Sequence, residues 1–319
     1  MNLFWNIYKN LENELIVLSN NIFFCDKQDS VYSIHISDLL IRASVEIEAI
    51  SKELYKIAGG NMSPVDDEGK QRDLFFDSDC IQFLDINWKI TKKVVNVVSP
   101  NFFFEKEENL VLRPLKDCNK QGKGRWKKAY QAVKHDRVGS IESGNIANLI
   151  RAMAALYILN IYYRNERYDV GTIMNGSPFD NRLGSDIFSV ELAHAEKCHF
   201  EEKMSDQSIE KSVRDNLDKA VIIQKYKEES FRLLHQNMID YNCEAKARLI
   251  KEPEVADFLA TNPDYKFKSL LSLAIDAGGD ELAGRMLKGQ KILDSLPKAD
   301  LEVVLNKCQQ IYPELENAK

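Results

Sequence analysis

Residues 34–57 read IHISDLLIRASVEIEAISKELYKI and decide the predicted fold class. Apolar residues recur here at steps of three and four, the spacing that places side chains on one face of an α-helix. Ser37 is a suitable N-cap for this helix, and Gly59–Gly60 supplies a stop. The apolar positions are Leu39, Leu40, Ala43, Ile47, Ile50 and Leu54. This stretch therefore predicts a long amphipathic helix with one buried face.

A second long helix is predicted over residues 143–165, and its centre reads IANLIRAMAALYILNIYY. This centre is apolar almost all round, but it contains Arg151, Asn148 and Asn160. A helix that crosses a membrane needs about 20 predominantly apolar residues. We therefore interpret this helix as the buried core of a protein that does not span a membrane.

The rest of the chain carries weaker helical and strand patterns. Residues 3–22 have helical spacing, and residues 80–98 predict a shorter helix that ends at Ser99–Pro100. Residues 101–118 predict a loop with extended character, because FFFEKEENLVLRPL has the pattern of a short strand or hairpin. Residues 205–250 are strongly charged with helical periodicity, and further breaks follow, among them Gly278–Gly279.

These elements predict an all-α protein with two domains. Pro (8) and Gly (14) are scarce in the 319 residues, which favours long helices over a turn-rich β fold. We predict an N-terminal helical bundle over residues 1–195 and a charged helical region over residues 196–319. The turn-rich segment NGSPFDNRLGSD at 175–186 lies near this boundary.

Charge and cysteine usage limit the environment. The net charge of −6 argues against a protein covered in nucleic acid but permits one local basic groove. The six cysteines include no CxxC pair, so we expect reduced thiols in the cytoplasm. The N-terminal residues lack the basic and long apolar regions of a signal peptide, and we expect none.

The stretch RWKKAYQAVKHDR at 125–137 concentrates basic and aromatic side chains. On a helix its cations can contact several phosphates while its aromatic rings stack on bases. The alternative is that Trp126, Ala129 and Val133 pack inward and the lysines are only solvated. The residues that we predict to contact RNA are Arg125, Trp126, Lys127, Lys128, Tyr130 and Lys134.

Charged residues also occur on the two long helices. Arg42 and Glu46 are spaced i,i+4, as are Glu48 and Lys52, so each pair can form an ion pair on one helix face. Arg151 lies in the apolar helix, where a charge is costly unless it has a partner. We predict that Arg151 pairs with Glu46 or Glu48. The alternative is an exposed arginine on a solvent-facing stripe.

Three segments in this order resemble the HEPN superfamily: RASVEIEAISKELY at 42–55, WKKAYQAVKHDR at 126–137 and NIANLIRAMAALYILNIYY at 145–163. The resemblance covers roughly residues 34–165, and its motifs are short. HEPN proteins are all-α bundles that are common in bacterial defence and toxin–antitoxin systems. Many of them are metal-independent endoribonucleases that pair as homodimers, so the resemblance implies a dimer without a cofactor.

The HEPN signature places a histidine four to six residues after an arginine on one helix. The histidine transfers protons, and the arginine stabilises the phosphate. This chain departs from that spacing, because Arg125 lies ten residues before His135 and Arg137 lies two after it. The resemblance still implies a catalytic group assembled from His135, Arg137 and Arg42, with Glu46 orienting Arg42.

Two other functions remain open at this point. The missing arginine–histidine spacing favours a non-catalytic scaffold whose bundle dimerises and whose C-terminal helices bind a partner protein. A nucleotide sensor is a further alternative. His194 and Cys198 are one helical turn apart in HAEKCH, but no matching ligands accompany them, so we predict no metal site.

Overall fold

The structure is a computed structural model, and it describes residues 2–176, 178–195, 216–266, 269–287 and 295–312. The prediction of an all-α protein is wrong, because the fold is mixed α/β, with 54% helix and 13% strand. The helices are α1 (Leu3–Ser19), α2 (Ile34–Ile57), α3 (Gln82–Trp88), α4 (Glu107–Leu110), α5 (Arg125–His135), α6 (Ile146–Arg164), α7 (Glu228–Leu249), α8 (Pro253–Thr261) and α9 (Leu270–Leu287).

The strands are short, and they form three sheets in the described part of the chain. They are β1 (Phe24–Cys25), β2 (Val95–Val97), β3 (Phe102–Phe103), β4 (Val111–Leu112), β5 (Tyr168–Thr172), β6 (Phe188–Val190), β7 (Leu192–His194), β8 (Ile222–Tyr226) and β9 (Asp300–Leu305). β1 pairs with β3 in parallel, β2 lies antiparallel between β4 and β6, and the third sheet has the order β5-β9-β8-β7.

Two helices form the core around which the other elements pack. The predicted helix over 34–57 is confirmed as α2, and its predicted apolar face is buried. Ser33, rather than Ser37, is the N-cap, because its hydroxyl accepts a hydrogen bond from the Ile36 amide at 3.1 Å. The chain leaves the helix at Gly59, whose φ of +86° is a conformation that glycine adopts without strain.

α6 is buried nearly all round, as the sequence predicted for a core helix. It is long and apolar enough to cross a membrane, but 83% of its most apolar window is buried inside the fold. Such burial is typical of the core helix of a soluble protein. Asn145 caps the helix by accepting a hydrogen bond from the Asn148 amide at 3.0 Å.

The predicted helix over residues 80–98 is only partly correct. α3 ends at Trp88, because Lys89 adopts a left-handed conformation with φ of +52°. The following VVNVV run is extended and contains β2, since β-branched side chains pack well on a pleated strand. β8 likewise lies within residues 205–250, which the sequence predicted as helical.

The described residues divide into two compact units. The first contains those of Met1–Tyr168, Phe179–Lys225 and Val303–Ile311, and the second those of Asp169–Pro178, Tyr226–Glu302 and Tyr312–Lys319. In the second unit, α7, α8 and α9 enclose an apolar cluster that includes Leu249, Val255 and Leu273. The predicted break at Gly278–Gly279 is confirmed as a kink within α9. Residues 196–215 lie outside the described part, so the predicted boundary at 195 stays a prediction.

Candidate anion-binding groove

The first turn of α5 is held in place by its buried side chains. Trp126 is buried, and its indole Nε1 donates a hydrogen bond to the Pro114 carbonyl at 2.7 Å. Gly124 precedes the helix with φ of +88°, and a Cβ there would lie 2.7 Å from Cys118 Sγ. A glycine is therefore required where the chain enters α5. This packing fixes the direction in which Arg125 and Lys128 project.

A cavity of about 680 Å³ lies beside this first turn, and we call it the anion groove. Six cationic side chains and two carboxylates line it, the carboxylates being Glu108 and Asp117. The cationic residues are Arg113, Lys116, Lys123, Arg125, Lys128 and Arg151. Asp117 lies 3.8 Å from Lys120, which is outside the groove lining. The anion groove is therefore positively charged although the chain is acidic.

Arg151 is the cation whose position matters most. Its side chain is half-buried and donates hydrogen bonds to the carbonyls of Ala147 and Glu108 at 2.9 and 2.8 Å, and to Asn109 Oδ1 at 3.0 Å. Burial, followed by repulsion from Arg125, lowers the pKa of the Arg151 guanidinium to about 10. All three of these acceptors are neutral, while the carboxylates of Glu108 and Asp29 partly oppose the shift through their charge.

No groove cation forms an ion pair within the described residues. Five of the six are exposed, so water and salt screen their mutual repulsion, and their positive potential adds up over one concave surface. The uncapped N-terminus of α5 adds its partial positive charge on the same side, because Gly124 offers no side chain to the first-turn amides. These features together suit an anion with several oxygens, such as a phosphate ester.

A second cavity of about 510 Å³ adjoins the first and shares Lys128 with it. We call it the aromatic pocket, because Phe75 and Phe76 line it together with the amides of Gln121 and Gln131. Phe75 is half exposed. The aromatic pocket therefore offers apolar and amide surface next to the cationic surface of the groove.

The predicted RNA-contacting residues separate into two groups. Arg125, Trp126 and Lys128 line the anion groove. Lys127 instead turns inward, where its Nζ lies 2.9 Å from Asp77 Oδ2 and 2.6 Å from the Lys120 carbonyl.

Tyr130 is buried, with the Lys134 ammonium 5.2 Å from its ring centre. Trp126, Ala129 and Val133 are all buried, as the alternative interpretation of this helix predicted.

The predicted catalytic residues are not gathered at the groove. His135 is exposed at the other end of α5, about 15 Å along the helix axis from Arg125, and the exposed Arg137 follows the helix. Arg42 makes two hydrogen bonds to Glu14, at 2.7 and 2.8 Å, instead of the predicted contact with Glu46. Glu46 is half-buried, and burial raises the pKa of its carboxyl.

The two candidates for structural ion pairs have other neighbours than predicted. Arg151 contacts Glu108 and Asn109 rather than Glu46 or Glu48, because these partners lie beside its end of α6. Glu48 lies in the lining of the aromatic pocket with Lys52 and influences the pKa of Tyr130 and Lys134.

Cys198 and His199 of the HAEKCH motif lie outside the described residues.

The sequence interpretation missed three groove residues, namely Arg113, Lys116 and Lys123. They lie in loops, whose path no hydrophobic periodicity encodes. The one local signal is Gly122-Lys123-Gly124, in which glycines flank a lysine directly before a basic helix. No family model, curated protein or solved structure matches the chain. The fold and site together define an α/β protein with a cationic groove.

Proposed function

We propose that the protein binds single-stranded RNA, with phosphates in the anion groove and a base in the aromatic pocket. The observation that carries this proposal is the convergence of unpaired cations around Arg151. A guanidinium is the side chain best matched to the paired oxygens of a phosphate. Five of these six cations are exposed, and their convergence on one concave surface distinguishes them from scattered, solvated surface charges.

The adjoining aromatic pocket supports a nucleotide rather than a simple anion. Stacking on an aromatic side chain accepts any base, and the amides of Gln121 and Gln131 offer donors and acceptors to its edge. Lys128 lies between the two cavities, so it can contact the phosphate that joins them. A concave site of this volume suits an unpaired, splayed-out nucleotide better than a duplex.

We propose binding rather than cleavage as the activity of this site. Proton transfer requires a histidine within hydrogen-bond reach of the reacting ribose or leaving oxygen. His135 lies at the end of α5 opposite to the groove, and Arg42 is engaged by Glu14. The HEPN relationship, the predicted homodimer and a partner protein for the C-terminal helices stay predictions.

We also propose that the protein works in the cytoplasm. Cys25, Cys80, Cys118 and Cys308 are all free thiols, which suits a reducing compartment. Cys80 and Cys118 are buried, and burial raises the pKa of each thiol to about 12, so they are inert in the core.

The test is a fluorescence-anisotropy titration of a labelled single-stranded RNA with the full-length protein at several salt concentrations. For single strands, the logarithm of the binding constant falls with the logarithm of salt concentration by about 0.7 per phosphate contact. For wild type we expect a slope that corresponds to several phosphate contacts. The double charge reversal Arg113→Glu/Lys116→Glu should weaken binding at least tenfold and flatten this slope.

The matched control is Lys246→Glu/Lys251→Glu, which makes the same charge change at exposed positions of the second unit. We expect this control to bind RNA as wild type does. Equal weakening by both double variants would mean that only net charge matters, and it would overturn the groove as the binding site. Single-stranded DNA in a parallel titration tests whether the ribose is recognised.

A further inference from the structure

A second charged group in the first unit lies outside the proposed binding site. Lys93 precedes β2, and its side chain is fully buried. Its Nζ donates a hydrogen bond to the Ala220 carbonyl at 2.9 Å and lies 3.6 Å from Cys308 Sγ. The nearby carboxylate, Asp218, is engaged by Lys89 and Lys92 at 2.6 and 2.8 Å. Lys93 is therefore a buried amine that contacts a backbone carbonyl and a thiol.

The surroundings of Lys93 favour its neutral form. Burial lowers the pKa of its ammonium to about 8, and Cys308 and Asp218 oppose this shift while Lys89 adds to it. A substantial fraction of the amine is therefore neutral near pH 8, whereas a solvated lysine is almost fully protonated there. A neutral amine carries the lone pair that a nucleophile needs.

Cys308 is the member of the pair that solvent can reach. Its side chain is half-buried, and its Sγ lies 3.3 Å from the Trp88 carbonyl. Because Lys93 is fully buried and Cys308 is partly exposed, a small oxidant from solvent meets Cys308 first. Thiols of this kind oxidise first to a sulfenic acid, which condenses with a neighbouring thiol or nitrogen.

We propose that Lys93 and Cys308 form a covalent sulfenamide cross-link when the protein is exposed to hydrogen peroxide. In the first step Cys308 Sγ attacks peroxide, an S–O bond forms, the O–O bond breaks and one water leaves. In the second step Lys93 Nζ attacks the sulfur, an S–N bond forms, the S–O bond breaks and a second water leaves with a proton from the amine. The pair loses two hydrogen atoms, and one peroxide is reduced to two waters.

The cross-link would join positions 215 residues apart. Closing so long a loop restricts the unfolded chain more than the folded one, in which the two atoms already lie in contact. We therefore expect the oxidised protein to unfold at a higher temperature than the reduced protein. A thiol reductant breaks the S–N bond, restores both side chains and returns the melting temperature to its original value.

The test is peptide mass spectrometry of full-length protein treated with peroxide at pH 8 and digested with trypsin. We expect a linked pair of peptides that contain Lys93 and Cys308, lighter by two hydrogens than their sum and uncleaved after Lys93. Dithiothreitol should abolish it. Cys308→Ser should prevent the link, whereas Cys25→Ser, at another half-buried cysteine, should leave it unchanged.

Lys93→Met separates the role of the amine from that of the thiol. In this variant we expect Cys308 to stop at sulfenic acid or its further oxides, with no linked peptide. Oxidised Cys308 beside an unmodified Lys93 in wild type would overturn the proposal, and so would a linkage that retains the oxygen atom. Because the wild-type experiment decides these outcomes alone, the test holds even if Lys93→Met does not fold.

Discussion

The two ends of α5 have similar local sequences but different surroundings. RWKK at its start and KHDR at and after its end are both strongly basic. At the start, loops and α6 bring Arg113, Lys123 and Arg151 to the same cavity. At the end, His135 and Arg137 stand exposed at the surface. Local composition thus gives a basic helix, and the cations contributed by distant segments distinguish a site from a solvated surface.

The start of α5 also has an internal anchor that the end lacks. Lys127 is 2% exposed, and its contacts tie the first turn to Asp77 before α3 and to two carbonyls of the loop that precedes α5. Lys134 is exposed and rests on the Tyr130 ring. A paired, buried cation thus positions the turn, while the unpaired cations on either side of it remain available to a ligand.

The largest effect is expected for Lys127→Ala. The change removes the counter-charge of Asp77 and the Lys127 donor to the carbonyls of Cys118 and Lys120, which costs about 3 kcal/mol in the free energy of unfolding. Lys134→Ala, at the other end, should cost only about 0.5 kcal/mol, the value of an exposed cation–π contact. Urea unfolding measures both. If the two variants lose similar amounts of unfolding free energy, Lys127 does not anchor the start of α5.

A smaller loss is expected for Gly124→Ala. The alanine must adopt an unfavourable positive φ, at a cost of about 2 kcal/mol in unfolding free energy, and its Cβ also displaces the Cys118 sulfur. Gly122→Ala is the control, because its φ of +64° is strained but the space around it is open. It should cost about 1 kcal/mol. If Gly122→Ala proves the more harmful, the close approach to Cys118 is not what fixes the turn.

The smallest effect is expected for His135→Ala. This variant should bind single-stranded RNA within twofold of wild type, since His135 lies away from the groove. Incubation of both proteins with total RNA in EDTA should leave the RNA intact. Metal-independent cleavage by wild type that disappears in the variant would show that the end of α5 at His135, and not its start, is the functional one.

The sequence predicts the long helices well and the strands poorly. α2 and α6 carry enough apolar positions for their periodicity to be unambiguous, and α5 follows from its inward Trp126 and Val133. β1 to β4 span two or three residues each, too few for an alternating pattern to appear. Their pairing depends on residues distant in the chain, such as Val95 with Val190. An all-α prediction follows naturally from such a sequence.

The candidate site is predictable from the sequence only where its residues lie on the long helices. Arg125 and Lys128 follow from the basic helix, and Arg151 is conspicuous as a charge in an apolar helix. Its partner was wrongly assigned, because helix spacing alone does not determine which loop covers the end of α6. Arg113 and Lys116 reach the anion groove through tertiary structure that no local pattern specifies.

Whether RNA binds at the start of α5 rather than at its end is tested most directly by reversing the charges at one end at a time. Arg125→Glu/Lys128→Glu and Lys134→Glu/Arg137→Glu make the same change in charge on or beside one helix, and both are titrated against the same labelled single-stranded RNA. We expect the first variant to lose at least tenfold in affinity, equivalent to about 1.4 kcal/mol, while the second stays within twofold of wild type. Equal losses, or a larger loss for the second variant, would contradict this expectation.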